Sequence, residues 1–524
     1  MKQQYFNYGS DRLGIGKALK LLRGELVGRL DDQALARMNK ARAHVEQVVD
    51  NEQVVYGVTT GFGPLCTTFV SAKEAQLLQA NLLKSHAVGV GEAVPLEVAR
   101  LMMILKVQAL ALGYSGVSMP VVERILWHID HNAIPYVPAQ GSLGASGDLA
   151  PLAHLFLPLI GYGKVHYEGE WLPASGFLQK AGLAPIALKA KDALALINGT
   201  QFMAAYGLLL VDRLQRCLDQ ADIVAAMMLE ALAGSQKPFT ADLHAIRPHP
   251  ACIYVAGRFR SLLEGSQIMK SHEGCSRVQD PYSLRCIPQV HGASRSAWLH
   301  LKEAVAIEIN SVTDNPVILG ENAIISGGNF HGQPLALPLD YAAMAAAELG
   351  NISDRRVYLS LEGKFEGIPK LLMKETGLNS GFMIPQYTTA ALVSENKSLC
   401  FPSSVDSIPT SIGQEDHVSM GATSARKSMQ VVKNLEKILA IELLCAAQGL
   451  DFRRPLKSSP FIEACYEYVR EHVAHRKTDQ LFIEELDFVI DTIRKGRLLD
   501  ICREVAEKHQ IQLNLSNHEV YGIY

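Results

Sequence analysis

The sequence predicts a mainly α fold, with a loop-rich N-terminal region over about residues 1–196 and a bundle of long helices over 197–524. Apolar residues recur at helical spacing through stretches near 30 residues long, far beyond the ~11–12 of an average globular helix. Such lengths suit parallel and antiparallel helices packed as a bundle. Their hydrophobic density also argues for burial against other subunits. The N-terminal part, in contrast, is broken by glycine-rich loops at 56–63 and 141–147.

Gly16–Leu22 is a short amphipathic segment, and Asp31 and Asp32 form a cap for a helix running to about Val49. Val54–Pro64 then breaks into a loop. Helical patterns follow over Ala72–Ala87 and over Leu96–Leu112, the latter ending at Gly113. A weak β-like patch spans Gly163–Leu172. Gln201–Ala233 is apolar at helical period with no breaker but Gly207. Ala342–Leu349 continues as a helix toward about Leu361. Val418–Leu450 contains a third long helix, with Val431, Leu435, Leu439, Ile441 and Leu444 on a broad apolar stripe.

Composition narrows the function class. The 524 residues are 48% hydrophobic and 20% charged, an ordinary globular profile. A net charge of −3 supplies no electrostatic case for nucleic acid or an anionic membrane. Nine cysteines, with no CxxC pair, favour free thiols in a reducing compartment. The polar start lacks the apolar core of a signal peptide, and no apolar run approaches the ~18 residues of a membrane span. These features together predict a cytoplasmic protein.

The stretch GSLGASGDLA at 141–150 offers unusual chemistry. Gly147 has no Cβ, so its nitrogen can approach the carbonyl carbon of the small Ala145. Ring closure with loss of water, and loss of the Ser146 hydroxyl as a second water, would give an imidazolone with an exocyclic methylene. That group is a strong electrophile, which no ordinary side chain supplies. Taken alone, the same tripeptide reads as a Gly-rich turn ending at a helix cap. A phosphate-binding loop is disfavoured because no Gly-Lys-Ser/Thr follows. His128, His131, His244 and His249 lack the partners of a metal site, and no metal is expected. Cys66 and Cys275 lie in or near loops but have no nucleophile context.

The longer string GSLGASGDLAPLAHL resembles the signature of the aromatic amino acid ammonia-lyases, whose prosthetic group is methylidene-imidazolone (MIO). The resemblance covers most of the chain through YGVTTGFG at 56–63, LINGT at 196–200, VQDPYSLRC at 278–286, SVTDNP at 311–316, GGNFHG at 327–332 and GQEDHVSMG at 413–421. KSHAVGVG at 84–91, VQDPYSLRC at 278–286, GLNSGFMIPQ at 377–386 and QEDHVSM at 414–420 are most similar to the branch that acts on histidine. The family expels an α-amino group and removes a weakly acidic Cβ proton, which explains the need for an electrophile. Because Ala145, Ser146 and Gly147 would form that electrophile, no external cofactor is implied.

The resemblance also implies roles for other residues. Tyr56 and Tyr282 match the family's catalytic tyrosines and are acid–base candidates. With a free pKa near ~10, a tyrosine base needs positive potential nearby, from helix N-termini or Arg285. Arg285 matches the clamp on the substrate carboxylate, a task suited to a planar guanidinium. Asn198 and Gln279 match polar positions that contact the prosthetic group or substrate, and Phe330 matches the aromatic residue beside the tripeptide. Asp148 either assists cyclisation, caps the helix from Leu149, or does both. His86 and Glu415 would read the substrate ring: a carboxylate accepts a hydrogen bond from an imidazole N–H and is costly against bare phenyl. Phe401 departs from the His-Pro common in the histidine branch. The implied assembly is a homotetramer whose sites are completed by neighbouring subunits. A tyrosine or phenylalanine lyase, an aminomutase and a non-catalytic relative stay open as alternatives.

Overall fold

In the computed structural model, residues 4–61, 70, 72–274, 277–320, 323–511 and 518–522 are described. Cys66, Cys275 and the end of the 56–63 loop lie outside these residues. The chain is mainly helical, and the strands among the described residues are no longer than four residues. It divides into two compact units. The first comprises Met1–Leu209, Lys302–Asp340 and Pro402–Arg426; the second comprises Leu210–Leu301, Tyr341–Phe401 and Lys427–Tyr524.

The first unit carries the short strands. Tyr5–Asn7 pairs in parallel with Val27–Arg29, and Val90–Ala93 pairs antiparallel with Pro138–Gln140. Lys164–Tyr167 and Glu170–Pro173 form a hairpin at the expected β-like patch, and Ile134–Pro135 pairs with its first strand. Helix Asp32–Asp50 begins as the sequence predicts: the Asp31 carboxylate accepts the Ala34 N–H at 2.8 Å. Helix Leu96–Ala111 is buried on every face from Leu101 onward, so a one-sided apolar stripe is neither needed nor present.

The second unit holds most of the long helices' length. The helices Gln201–Ala231, Ile287–Glu308, Gln333–Leu361 and Gly421–Asp451 span 31, 22, 29 and 31 residues. The predicted stripe Val431, Leu435, Leu439, Ile441 and Leu444 is buried throughout. Gln333–Leu361 starts nine residues before the expected Ala342, and Pro338 lies inside it. Pro334 sits in the first turn, where its missing N–H leaves nothing unpaired, and Pro338 forfeits only one ladder bond.

Candidate active site

The loop at 141–147 is tightly wound. Gly144, Ser146 and Gly147 have φ of 87°, 54° and 79°, all in the left-handed region. Ser146 is the non-glycine among them, so its backbone carries strain that the surroundings hold in place. A Cβ on Gly147 would fall on the backbone of Gly199, and one on Gly144 would fall on Ser419 Oγ. Both positions therefore demand glycine. Ala145 is buried. This is a cradle for a compressed tripeptide, and the residues present fit an internally formed imidazolone.

Gly199 braces the loop from both sides of Gly147. Its N–H donates to the Ser146 carbonyl at 3.3 Å, and its carbonyl accepts the Asp148 N–H at 2.8 Å. The Asp148 side chain makes no cap bond to its own helix, Leu149–Phe156. Its Oδ2 instead accepts the N–H groups of Phe202 and Met203 at 3.1 and 3.0 Å, at the start of helix Gln201–Ala231. This corrects the expectation that Asp148 caps the helix from Leu149. Asp148 has φ −96° and ψ 56°, outside normal N-cap geometry, and its carboxylate serves the helix that approaches from elsewhere. Burial pushes the Asp148 carboxyl up to about 7, although the Met203 N–H, the Ser142 hydroxyl, the Phe202 N–H and the Lys106 charge all oppose the rise.

The 413–421 motif meets this loop, and the 327–332 and 84–91 motifs meet the 413–421 motif in turn. The Met420 N–H donates to the Leu143 carbonyl at 2.9 Å. His331, next to Phe330, bonds the His417 carbonyl through Nε2 at 3.3 Å, and the two rings stack. Phe330 itself is half-buried. The Ser146 hydroxyl donates to Glu415 Oε1 at 3.4 Å, while Ser411 and Thr410 hydroxyls donate to Oε2 at 2.7 and 3.3 Å. Glu415 is thus aimed, and part of its charge is already satisfied. His86 ends helix Ala72–His86, with Nδ1 3.0 Å from Ser85 Oγ. Burial holds the His86 imidazole below its ordinary value, and the Leu82 backbone and the Glu415 charge counteract this. His86 and Glu415 therefore share one electrostatic environment, and the imidazole is held toward its neutral form. Tyr56 is half-buried in a turn where the Gly57 N–H donates to Thr60 Oγ1 at 3.1 Å.

Beneath the loop lies a polar network that the motif reading overlooked. Lys106 Nζ donates to the carbonyls of Asn198 and Ala195 at 2.6 and 3.3 Å. Asn198 Nδ2 donates to the Asn315 carbonyl at 2.7 Å and to Asp314 Oδ1 at 3.4 Å. Asp314 Oδ2 meets Lys191 Nζ at 2.5 Å. Asn198 therefore commits its amide nitrogen to the protein. Lys106, Lys191, Asp148 and Asp314 are all buried. The available signal was a lone lysine inside the apolar run LMMILKVQAL at 101–110.

In the second unit, Gln279, Tyr282 and Arg285 share one short stretch. Asp280 anchors it, accepting the Ser235 N–H at 2.6 Å and pairing with Arg277 at 2.8 Å. Tyr282 opens the turn Tyr282–Arg285 and is 71% exposed. The Arg285 guanidinium stacks over its ring at 4.5 Å. Arg285 Nε is buried and has no hydrogen-bond partner among the described residues, so this donor is unspent. Gln279 and Arg285 also line a cavity of about 450 Å³ with Lys237 and Asp280. A separate apolar cavity lined by Tyr254, Phe461 and Cys502 contains none of the predicted residues.

Residues 13–471 match the aromatic amino acid lyase family. The chain belongs to that family. It is 49% identical over 482 residues to the histidine ammonia-lyase of Deinococcus radiodurans, covering 92% of each chain. The crystal structure of histidine ammonia-lyase from Trypanosoma cruzi superposes with a TM-score of 0.90 at 38% identity, over 100% of this chain and 98% of that one. Tyrosine aminomutase from Streptomyces globisporus also superposes at 0.90, with 34% identity over 98% and 100%. The shared fold thus hosts more than one reaction, and the site residues must decide the substrate.

Proposed function

We propose that the protein is a histidine ammonia-lyase, eliminating ammonia from L-histidine to give trans-urocanate as the first step of histidine breakdown. The observation that carries this reading is the Glu415 carboxylate, held 3.4 Å from Ser146 Oγ by Ser411 and Thr410 and sharing its field with His86. A carboxylate beside the reacting tripeptide reads an imidazole N–H, and its desolvation disfavours a phenyl ring. High identity to curated histidine ammonia-lyases supports the same substrate.

Ala145, Ser146 and Gly147 would form MIO, which supplies the electrophile that makes the amine a competent leaving group. The chain's own residues do the rest. Arg285 grips the substrate carboxylate through its guanidinium. His86 and Glu415 orient the imidazole so that the Cβ proton faces a tyrosine. Tyr56 and Tyr282 exchange protons with substrate, and Gln279 and Phe330 shape the pocket around it. Asn198 supports the loop through its backbone. The exposure of Tyr282 fits an assembly in which subunits complete one another's sites, a homotetramer in the cytoplasm.

The test is urocanate formation from L-histidine by purified protein with no added cofactor, beside Ser146→Ala, with intact mass measured on both. The expected result is urocanate from a chain two waters lighter than its sequence, and neither change in the variant. Cinnamate or coumarate from phenylalanine or tyrosine, without urocanate, would move the substrate assignment elsewhere in the family.

A further inference from the structure

We propose that Lys106 is a positioning residue for maturation of the 145–147 loop: it fixes the Asn198–Gly199 peptide against which the loop closes into its ring. This inference rests on the MIO reading above and goes beyond it.

Closure joins Gly147 N to the Ala145 carbonyl carbon. The Ala145 oxygen leaves as water with the amide protons of Gly147 and Ser146. The Ser146 Cα hydrogen and its Cβ hydroxyl then leave as the second water. No oxidant or reductant is consumed. Two things are required of the protein: the turn must stay compressed during attack, and negative charge developing on the Ser146 carbonyl oxygen, as Cα loses its proton, must be stabilised.

Gly199 meets both requirements, and Lys106 holds Gly199. The Gly199 N–H faces the Ser146 carbonyl, and its own carbonyl pins the Asp148 N–H. The adjoining Asn198 carbonyl receives the Lys106 ammonium at 2.6 Å. This runs ammonium to carbonyl, along one peptide, then N–H to carbonyl, so that each bond polarises the next. The ammonium also bonds the Ala195 carbonyl near the end of helix Asp192–Ile197, where positive charge is favoured. The placement is built. Lys106 is only 2% exposed, in the stretch 101–111 where every residue of the helix is buried. At the other end of the same short helix, Lys191 adopts φ 73° to reach Asp314, a strained backbone for a lysine. The charged groups around Lys106 are Asp314, Asp148 and Lys191, two carboxylates against a second ammonium.

The experiment compares wild type, Ser146→Ala, Lys106→Met and Lys106→Gln by intact mass, with circular dichroism and unfolding midpoint read on the same samples. Wild type should be two waters lighter than its sequence, and Ser146→Ala should sit at its sequence mass. Folded Lys106→Met should mature at least roughly tenfold more slowly, the scale of one lost charged hydrogen bond. Lys106→Gln, which keeps a donor without the charge, should fall between. A folded Lys106→Met that matures as fast as wild type overturns the proposal while leaving the MIO reading intact. If Lys106→Met does not fold, Lys106→Gln decides: slowed maturation supports the proposal and wild-type maturation overturns it. A wild-type chain at its sequence mass removes the MIO reading and this inference together.

Discussion

Two buried charge networks, one in each unit, solve the same problem in opposite ways. In the second unit, Asp222 receives Arg295 at 2.5 Å, Arg258 at 2.7 Å and His291 at 2.7 Å, and Arg295 also reaches Asp219 at 2.8 Å. Burial alone would raise the Asp222 carboxyl, but Arg295, the His291 hydrogen bond and Arg258 outweigh it and hold it well below the usual range. In the first unit, Asp148 and Lys106 lack so close an ionic partner and lean on backbone groups. Burial brings each to about 7, the acid from below and the amine from above. Direct pairing locks ions and makes a frame insensitive to pH. Backbone solvation leaves the groups under the reactive loop balanced between charge states.

The largest loss is expected in the directly paired network of the second unit. Asp222→Asn should lower the unfolding free energy by about 3–5 kcal/mol, because Arg295 and Arg258 are left buried with an uncompensated charge. Chemical denaturation measures this, and the folded fraction should still be two waters light. Loss of maturation without loss of stability would show that the frame, too, serves the loop.

At the reactive loop, Glu415→Gln should reduce kcat/KM for histidine by roughly a hundredfold, or ~2.7 kcal/mol of transition-state stabilisation. A gain for tyrosine with histidine unaffected would remove Glu415 from substrate reading.

Asp148→Asn sharpens the contrast through pH. Folding raises this carboxyl from 3.8 to about 7, so the folded state holds the proton more tightly than the unfolded one. The resulting stability is fully present below the unfolded pKa, is lost as pH rises toward 7, and stays lost above it. Lys106, lowered to about 7, changes stability in the window above. The variant has no such acid to titrate. Its unfolding midpoint relative to wild type should therefore rise from about pH 4 to about pH 7 and then level. Parallel profiles would mean that Asp148 is not held protonated by burial.

The smallest effect lies away from both networks. Asp31→Ala removes the cap on helix Asp32–Asp50 and should cost ~1 kcal/mol in denaturation, with maturation and turnover unchanged.

The sequence by itself determined the helical class, the positions of the three longest helices and of several in the N-terminal region, and the chemistry open to Ala145-Ser146-Gly147. Those properties are local: apolar spacing, a capping aspartate, the missing Cβ of glycine. It also pointed to Glu415 and His86, because whole strings carry their context. Only the tertiary structure decided where Asp148 spends its carboxylate, since Phe202 and Met203 lie more than fifty residues away in sequence. It likewise decided that Lys106, Lys191 and Asp314 form one network, and that Ser146 meets Glu415 across 269 residues. A lysine in an apolar run looks the same on the page whether its amine reaches water or a buried carbonyl. Packing chooses between them, by closing off the water and supplying the carbonyl.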